Sequence, residues 1–164
     1  MQNKRIALYG IIIAAYTSIS LLLGSFSFGM MQIRIAELLL VICLFDRKFI
    51  LPITLACFVT NLIGIMNGLN PLIIDLIVGT MATYISAVCV YYFRNIRFRD
   101  LPILSLFLPA LINGILIGIE LSFYFQMKIW LLIIYVGIGE FISVTLFGLL
   151  LYKPIGKAIE QYLE

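Results

Sequence analysis

Residues 129–152 read IWLLIIYVGIGEFISVTLFGLLLY, and Glu140 is their only charged residue. A helix that crosses a membrane needs about 20 predominantly apolar residues, and this run has that length. A charge at the centre of such a helix costs about 2.5–3.5 kcal/mol on insertion scales, and charges retained there usually face a protein interior or a water-filled cavity. The stretch therefore predicts a membrane helix. The central location of Glu140 on that helix indicates that Glu140 is a functional residue.

The composition of the whole chain predicts an integral membrane protein. Its 164 residues are 63% hydrophobic and 12% charged, whereas average soluble domains are about 25% charged and 45–50% apolar. The chain has no histidine, which excludes histidine-dependent acid–base chemistry and Ser-His triads. Cys43, Cys57 and Cys89 stand alone in apolar runs, without the spacing of a zinc or redox site, so we predict no metal site.

Apolar runs separated by polar breaks predict a single all-α membrane domain over residues 1–164, with six transmembrane helices. The predicted spans are 6–24, 34–46, 48–67, 71–93, 101–122 and 129–152. The second span is too short to cross a bilayer alone, so we expect it to be partial, tilted or shielded by protein. Pro71 suits the first turn of its helix, Pro154 suits a helix stop, and Pro109 predicts a kink inside the fifth span.

The distribution of basic residues predicts the orientation of the chain. Six spans place both termini on one side of the membrane, and the lysines and arginines then split nine against two. Only Arg34 and Lys128 fall on the side opposite the termini. The positive-inside rule therefore places the N and C termini in the cytoplasm and predicts a multi-pass protein of the plasma membrane. An arrangement with five helices would distribute the basic residues over both sides of the membrane, so it is disfavoured.

Polar side chains gather in the outer half of the predicted spans, and we call this set the cup. Its members are Arg34, Glu37, Asn61, Asp75, Asn113, Glu120 and Glu140. At a rise of about 1.5 Å per residue, Glu140 lies roughly 16 Å into its helix, near the membrane midplane. The cytoplasmic half of the spans has almost no polar residues, which argues against a channel or a proton wire. We therefore expect a cup that is open to the outside and closed below.

The composition of the cup indicates the kind of ligand that it binds. Four carboxylates against one guanidinium favour a cationic ligand that is rich in hydrogen-bond donors. A carboxylate accepts two N–H bonds, and an Asn side chain both donates and accepts. Asn61 and Asn113 also suit a purely structural role as hydrogen-bond partners between helices.

Structural alternatives remain open for the charged members of the cup. Arg34 and Glu37 are three residues apart, so they can pair and merely anchor the second span. Asp75 can cap the start of its helix, where an acidic group suits the helix dipole. Glu120 can lie at the membrane interface. Glu140 is the deepest of the set and has the weakest structural explanation.

Small residues form a stripe on the first predicted helix, and we call it the small-residue stripe. It comprises Ala7, Gly10, Ala14 and Ser18, at spacings of three, four and four residues. Such a stripe lets another helix approach closely. It either packs against the chain's own helices or docks onto a separate membrane subunit.

Several short segments, in order along nearly the whole chain, carry a resemblance to a known family. They are residues 28–38 (FGMMQIRIAEL), Asn61-Leu62, Asp75 with residues 79–83 (GTMAT), Asn113-Gly114, residues 118–121 (GIEL) and residues 136–140 (VGIGE). The chain resembles the queuosine-precursor transporter (QueT) family, whose members are substrate-binding S components of energy-coupling factor (ECF) transporters. After Glu37 it departs from the family's Thr-Val-Leu-Pro-like pattern with residues 39–42 (LLVI), which affects fine substrate preference.

The resemblance implies a non-catalytic subunit that captures a vitamin-like solute from outside. It implies two kinds of partner: a transmembrane coupling subunit (EcfT-like) and two cytoplasmic ATPases, which bind the ATP. The implied ligand is a 7-deazaguanine such as 7-aminomethyl-7-deazaguanine, which we expect the carboxylates to meet while Arg34 orients Glu37. Residues 10–14 (GIIIA) resemble the Ala-x-x-x-Ala docking motif of S components. We expect no cofactor in this chain and no nucleic-acid partner.

Three rival interpretations remain. The chain can be an S component for another vitamin or precursor, related to thiamine or pyridoxine. It can be a membrane enzyme, since paired carboxylates alone can perform acid–base chemistry. It can also be a structural subunit, which predicts no ligand binding.

Overall fold

The computed structural model describes the backbone of residues 2–163 and the side chains of residues 5–159 and 161, and this part of the chain consists of helices and connecting loops. The α-helices are α1 (Gln2–Leu22), α2 (Gly24–Ser27), α3 (Ile50–Met66), α4 (Asp75–Phe93), α5 (Ile103–Phe125), α6 (Ile129–Glu140) and α7 (Phe147–Leu163). Two 3₁₀ helices cover Ile35–Leu44 and Arg47–Phe49, and a π-helical segment, Phe141–Leu146, joins α6 to α7.

Five helical segments of the described chain are long and apolar enough to cross a membrane. They are Arg5–Leu22, Arg47–Met66, Asp75–Phe93, Ile103–Phe125 and Ile129–Ile159. The all-α fold with several membrane-length helices agrees with the sequence prediction. The difference lies in the predicted second span, which forms only the 3₁₀ helix Ile35–Leu44.

The 3₁₀ helix Ile35–Leu44 runs through the interior of the bundle. At a rise of about 2 Å per residue it is about 20 Å long, shorter than the hydrocarbon core of about 30 Å. Ala36, Leu40, Val41 and Cys43 on it are fully buried, and it packs against α1, α4, α7 and the π-helical segment. This short helix is therefore shielded by protein, which is one of the alternatives that its length left open.

Two of the three proline predictions were wrong. Pro71 precedes α4, which begins only at Asp75. The Asn70 side chain accepts the backbone N–H of Leu72 at 3.0 Å, and this local turn competes with the helix. Pro154 lies inside α7 and does not end it, because α7 packs on the core beyond the proline through Ile155 and Ile159.

Pro109 lies inside α5, as predicted. A proline has no N–H, so the carbonyl of Ser105 lacks its usual helical donor. One residue further along, the carbonyl of Leu106 accepts the Thr145 hydroxyl at 2.9 Å. The π-helical segment is therefore hydrogen-bonded to α5 in the turn that the proline disturbs.

Glycines allow α5 and α6 to approach closely. A Cβ atom on Gly118 would lie 2.6 Å from the Cα of Ile133, and one on Gly114 would lie 3.2 Å from the Cα of Gly137. Small residues at such positions are the usual means by which membrane helices pack tightly. This contact positions the α5 side chains beside Glu140 at the end of α6.

Basic residues collect where the loops of one end of the bundle meet. Arg5 and Lys48 border one depression beside Phe49, and Arg94 and Arg97 border another beside Pro102. These two depressions bring together the start of α1, the turn before α3, the end of α4 and the start of α5. We call this region, together with Arg47, the basic end.

Candidate functional site

A buried ion pair joins the segment before the first 3₁₀ helix to the start of α4. Arg34 Nη2 lies 2.8 Å from Asp75 Oδ2, and the two side chains are 5% and 1% exposed. The same carboxylate oxygen accepts the Asn70 amide at 2.7 Å. Arg34 Nε donates to the Ser27 carbonyl at 3.2 Å, and its guanidinium lies 5.7 Å from the centre of the Phe28 ring.

The predicted pairing of Arg34 with Glu37 was wrong. That prediction placed both residues on one face of a helix, but Arg34 precedes the 3₁₀ helix with φ −91° and ψ 81°. This backbone conformation is not helical, so the three-residue spacing no longer brings the two side chains together. Arg34 pairs with Asp75 instead and does not orient Glu37.

Two hydroxyl groups hold Glu37 in place. The Tyr16 hydroxyl donates to Glu37 Oε1 at 2.5 Å, and the Thr83 hydroxyl donates to the same oxygen at 2.9 Å. All three side chains are almost fully buried. The other oxygen, Glu37 Oε2, is buried without a hydrogen-bond partner among the described residues.

Asp75 is held by its neighbours and makes no N-cap hydrogen bond, but its place in the first turn of α4 suits the helix dipole, as one alternative expected. Ile74 occupies the N-cap of α4, without a side-chain cap, and Asp75 is the first helical residue. Asn61 Nδ2 on α3 donates to the Asp75 carbonyl at 2.9 Å, so Asn61 is a hydrogen-bond partner between helices. A Cβ atom on Gly79 would clash with Asp75 Oδ1 and would lie 2.8 Å from Asn61 Nδ2. The glycine therefore leaves space for the carboxylate and the amide.

The variant Gly79→Ala should displace Asp75 and Asn61. We expect a loss of about 1–3 kcal/mol in stability, the usual cost of overpacking, because the added methyl group meets both side chains. Gly10→Ala is the matched control, since a Cβ there has no neighbour within 4 Å. Both changes raise helix propensity equally, so a comparison of thermal unfolding isolates the clash. Equal melting temperatures for the two variants would contradict this account.

Glu140 lies at the end of α6, where the helix changes to π geometry. It is 1% exposed, and the Asn113 side chain of α5 lies near it. Its Oε2 atom is buried, and no hydrogen-bond partner for it occurs in the described part of the chain. Single turns of π-helix inside α-helices are often found at functional sites. Glu140 is thus a buried carboxylate at the point where the helix becomes irregular.

Glu120 borders an apolar groove between α4 and α5. The groove has a volume of about 570 Å³, and its walls include Leu72, Val78, Leu116, Phe123 and Tyr124. Glu120 is only 8% exposed, and neither of its buried carboxylate oxygens has a hydrogen-bond partner among residues 5–159. Its carboxylate is therefore buried against the protein at the edge of this groove, while its depth in the membrane stays a prediction.

The structure brings the seven predicted cup residues into one region. Besides the contacts above, Glu140 lies close enough to Glu37 and Arg34 for electrostatic interaction, and Glu120 lies close enough to Asp75 and Arg34. All seven side chains are buried, between 0% and 8% exposed. The four carboxylates and the guanidinium of the cup therefore all lie in the buried interior of the bundle, and Asp75 is the carboxylate that pairs with Arg34.

The cup is closed in this structure, whereas the sequence predicted a cup open to the outside. The segment before the first 3₁₀ helix covers it: a Cβ on Gly139 would clash with the backbone carbonyl of Met31, next to Glu140. Phe28 packs against Gly64, where a Cβ would lie 2.9 Å from the Phe28 ring. Gln32 is buried in the same segment with φ 44°.

A comparison with known families decides what class of protein carries this arrangement. The sequence profile of the family described as QueT transporter matches residues 6–157, which is most of the chain. The chain belongs to the QueT transporter family. No curated protein and no solved structure matches it. QueT membership and the five membrane-length helices together establish a transport protein of the multi-pass membrane type.

The small-residue stripe of this QueT chain faces away from its own bundle. Ala7, Gly10, Ala14 and Ser18 are all exposed, and a Cβ on Gly10 would meet nothing within 4 Å. The opposite face of α1 carries the buried Tyr16. The stripe therefore does not pack against the helices of the described part of the chain.

Sequence reasoning missed three residues that hydrogen-bond to carboxylates of the cup: Tyr16, Asn70 and Thr83. Thr83 lies in the segment 79–83, which carries part of the family resemblance, so its hydroxyl was an available signal. Tyr16 lies within an apolar run and Asn70 in a loop, and neither pattern indicated a partner. No group of His, Cys, Asp and Glu suited to a metal ion occurs within the described residues.

Proposed function

We propose that this QueT-family chain is the substrate-binding S component of an ECF-type importer. Its ligand in this proposal is a 7-deazaguanine with a cationic side chain, such as 7-aminomethyl-7-deazaguanine. One observation carries the proposal: the cup holds buried acceptor atoms that have no hydrogen-bond partner in the described part of the chain. They are Glu37 Oε2, Asn61 Oδ1, Asp75 Oδ1, Asn113 Oδ1, Glu120 Oε1 and Oε2, and Glu140 Oε2.

These acceptors call for a ligand that donates hydrogen bonds. A buried polar atom without a partner costs about 1–3 kcal/mol, and more when it is charged. The proposed ligand carries an ammonium group, an exocyclic amino group and ring N–H groups, which are all donors. A ligand with many acceptors and few donors would leave the carboxylates unpaired, so the cup discriminates against it.

The charge of the cup favours the same ligand. Arg34 neutralises Asp75 directly, which leaves Glu37, Glu120 and Glu140 without a basic partner among the described side chains. Buried anions are stable only when a cation or hydrogen bonds compensate them. An ammonium group next to Glu140 and Glu37 supplies that compensation, and the apolar groove beside Glu120 suits the flat face of a heterocycle.

The proposal includes an orientation in the plasma membrane. Six passes, with the 3₁₀ helix Ile35–Leu44 as the short second pass, place both termini and the basic end in the cytoplasm. Arg5, Lys48, Arg94 and Arg97 border depressions that join the loops of that end, which supports this orientation through the positive-inside rule. The cup then lies toward the outside.

Energy for import comes from partner subunits in this proposal. Two cytoplasmic ATPases bind the ATP in this proposal, and a chain without a phosphate-binding loop of the Walker A type fits this division of labour. A transmembrane coupling subunit connects them to the small-residue stripe of α1. The stripe's exposure and the open space at Gly10 support close approach by a foreign helix.

The double variant Gly10→Leu/Ala14→Leu should abolish co-purification with the coupling subunit and leave ligand binding unchanged. Two leucines on the stripe prevent close helix approach without touching the buried face of α1. Ala158→Leu, an exposed small-to-large change on α7, serves as the control and should retain the complex. Recovery of the intact complex with the double variant would contradict docking through the stripe.

Uptake by whole cells tests the proposed function. Bacteria that cannot synthesise 7-deazaguanines, supplied with this chain and a coupling module, should import 7-aminomethyl-7-deazaguanine only when the ATPases are active. Preferential import of a thiamine or pyridoxine precursor would replace the proposed substrate. Chemical conversion of the ligand by the purified chain alone would replace transport by catalysis.

A further inference from the structure

A second groove lies at the basic end, away from the cup. It has a volume of about 550 Å³, and its lining includes Arg47, Lys48, Leu51, Tyr84, Val88 and Tyr91. The groove beside Glu120 borders the first turns of α4, whereas this one borders its last turns, so the two grooves lie at different depths along the same helix. The proposed function makes no use of it.

The lining of this groove is amphipathic along its length. Arg47 and Lys48 lie at its end, in the turn before α3. Leu51 and Val88 form an apolar wall beyond them. Tyr84 precedes Tyr91 by seven residues on α4, so Tyr84 lies about 10 Å further from the basic end than Tyr91 does. The shape and polarity match a molecule with an anionic head and an apolar tail.

The two cations are available to such a molecule. Arg47 has no ion-pair partner among the described side chains, and Lys48 Nζ lies 3.8 Å from Asp46 at a side-chain exposure of 48%. An exposed pair of this kind contributes little to stability, so Lys48 exchanges partners readily. Arg94, in contrast, is engaged, because it lies 3.8 Å from the centre of the Tyr91 ring and donates to the Tyr91 carbonyl at 2.8 Å. This contact holds Tyr91 in place in the lining of the groove.

We infer that this groove binds an anionic phospholipid from the leaflet at the basic end. The phosphate lies between Arg47 and Lys48, and one acyl chain follows Leu51 and Val88 toward Tyr84. Basic pockets between membrane helices are known to take anionic lipid head groups, and tyrosine hydroxyls supply further donors. The inference rests on charge complementarity and depth, and it holds whether or not the cup binds a deazaguanine.

A tryptophan reporter tests this inference. Trp130 is the only tryptophan of the chain, so Trp130→Phe with Tyr84→Trp places a single fluorophore in the groove. The reporter protein is reconstituted into bilayers in which either phosphatidylglycerol or phosphatidylcholine carries brominated chains, which quench on contact. We expect phosphatidylglycerol to be preferred by a factor of about five or more, since each basic residue near a membrane surface contributes roughly that factor toward anionic lipid.

Charge variants separate a specific site from general attraction to the basic end. Arg47→Gln/Lys48→Gln should abolish the preference, whereas Lys153→Gln/Lys157→Gln should retain it, because those lysines are exposed on α7 outside the groove. Quenching by brominated phosphatidylcholine in each variant confirms that the reporter still contacts lipid chains. Equal quenching by the two lipids, or an equal loss in both charge variants, would overturn the inference. It would also be overturned if Arg47→Gln/Lys48→Gln released a partner subunit while leaving the lipid preference unchanged.

Discussion

Replacement of Glu140 by Gln is expected to weaken binding of 7-aminomethyl-7-deazaguanine by about 100-fold or more. Glu140 is 1% exposed, and its Oε2 atom has no partner in the described part of the chain. Gln keeps the size and one carbonyl oxygen but removes the charge that the ammonium group needs. Loss of one partner of a buried charge pair costs about 2–5 kcal/mol, and titration calorimetry on the purified protein measures it directly.

Two controls show whether this loss reflects the ligand's charge. Asp100→Asn makes the same charge change at an exposed site outside the cup and should leave affinity unchanged. The analogue 7-cyano-7-deazaguanine lacks the ammonium group, so wild type should prefer the aminomethyl compound and Glu140→Gln should lose that preference. Unchanged affinity in Glu140→Gln would remove Glu140 from the site while leaving the fold intact.

The second large effect concerns stability, and it follows from the Arg34–Asp75 pair. The variant Arg34→Met leaves Asp75 as a buried carboxylate without its cation. We expect a loss of about 3–5 kcal/mol, which is typical when one member of a buried ion pair is removed. The melting temperature of the ligand-free protein in detergent should fall by roughly 10 °C.

A rescue variant identifies the cause of that loss. Adding Asp75→Asn to Arg34→Met removes the unpaired buried charge. The double variant should regain most of the stability, because the Asn70 amide still has an acceptor at position 75. If the double variant melts as low as Arg34→Met alone, the contacts of Arg34 with Ser27 and Phe28 stabilise the protein instead of charge compensation. An unchanged melting temperature in Arg34→Met would contradict the role of the ion pair altogether.

Hydrophobic length and charge position were enough to predict most of the fold. A run such as residues 129–152 has few alternatives to a helix in lipid, and it is helical in the structure as α6, the π-helical segment and the start of α7, which continues to Leu163. The predictions about Pro71 and Pro154 failed because local hydrogen bonds and packing outweigh the usual preferences of proline. Asn70 forms a turn where Pro71 suggested a helix start, and packing beyond Pro154 outweighs the lost hydrogen bond.

The residues of the cup were predictable, but their pairing was not. A charged residue within a membrane segment almost always faces the interior of the protein, because exposing it to lipid is costly. Its position in the sequence therefore predicts burial without revealing its partner. Pairing depends on backbone direction, and the non-helical conformation of Arg34 could not be inferred from a three-residue spacing. The partners Tyr16 and Thr83 are 21 and 46 residues from Glu37 in sequence, so only the packing of α1 and α4 around the 3₁₀ helix reveals them.

The closed cup also changes how we understand ligand access. Met31 contacts α6 beside Glu140, and Phe28 packs against α3, so we expect a ligand to reach Glu140 and Glu37 only after this segment moves, whereas Glu120 already borders an open groove. Binding then exchanges the burial of Phe28 and Gln32 for contacts with the ligand. Ligand affinity therefore depends on the stability of this cover as well as on the carboxylates.

Equilibrium binding of 7-aminomethyl-7-deazaguanine to the purified, partner-free chain tests whether the cup is the binding site of this ligand. We predict saturable one-to-one binding that is much tighter than the binding of 7-cyano-7-deazaguanine, thiamine or pyridoxine. No binding of the aminomethyl compound by folded protein, or tighter binding of one of the other compounds, would contradict the assignment of the cup.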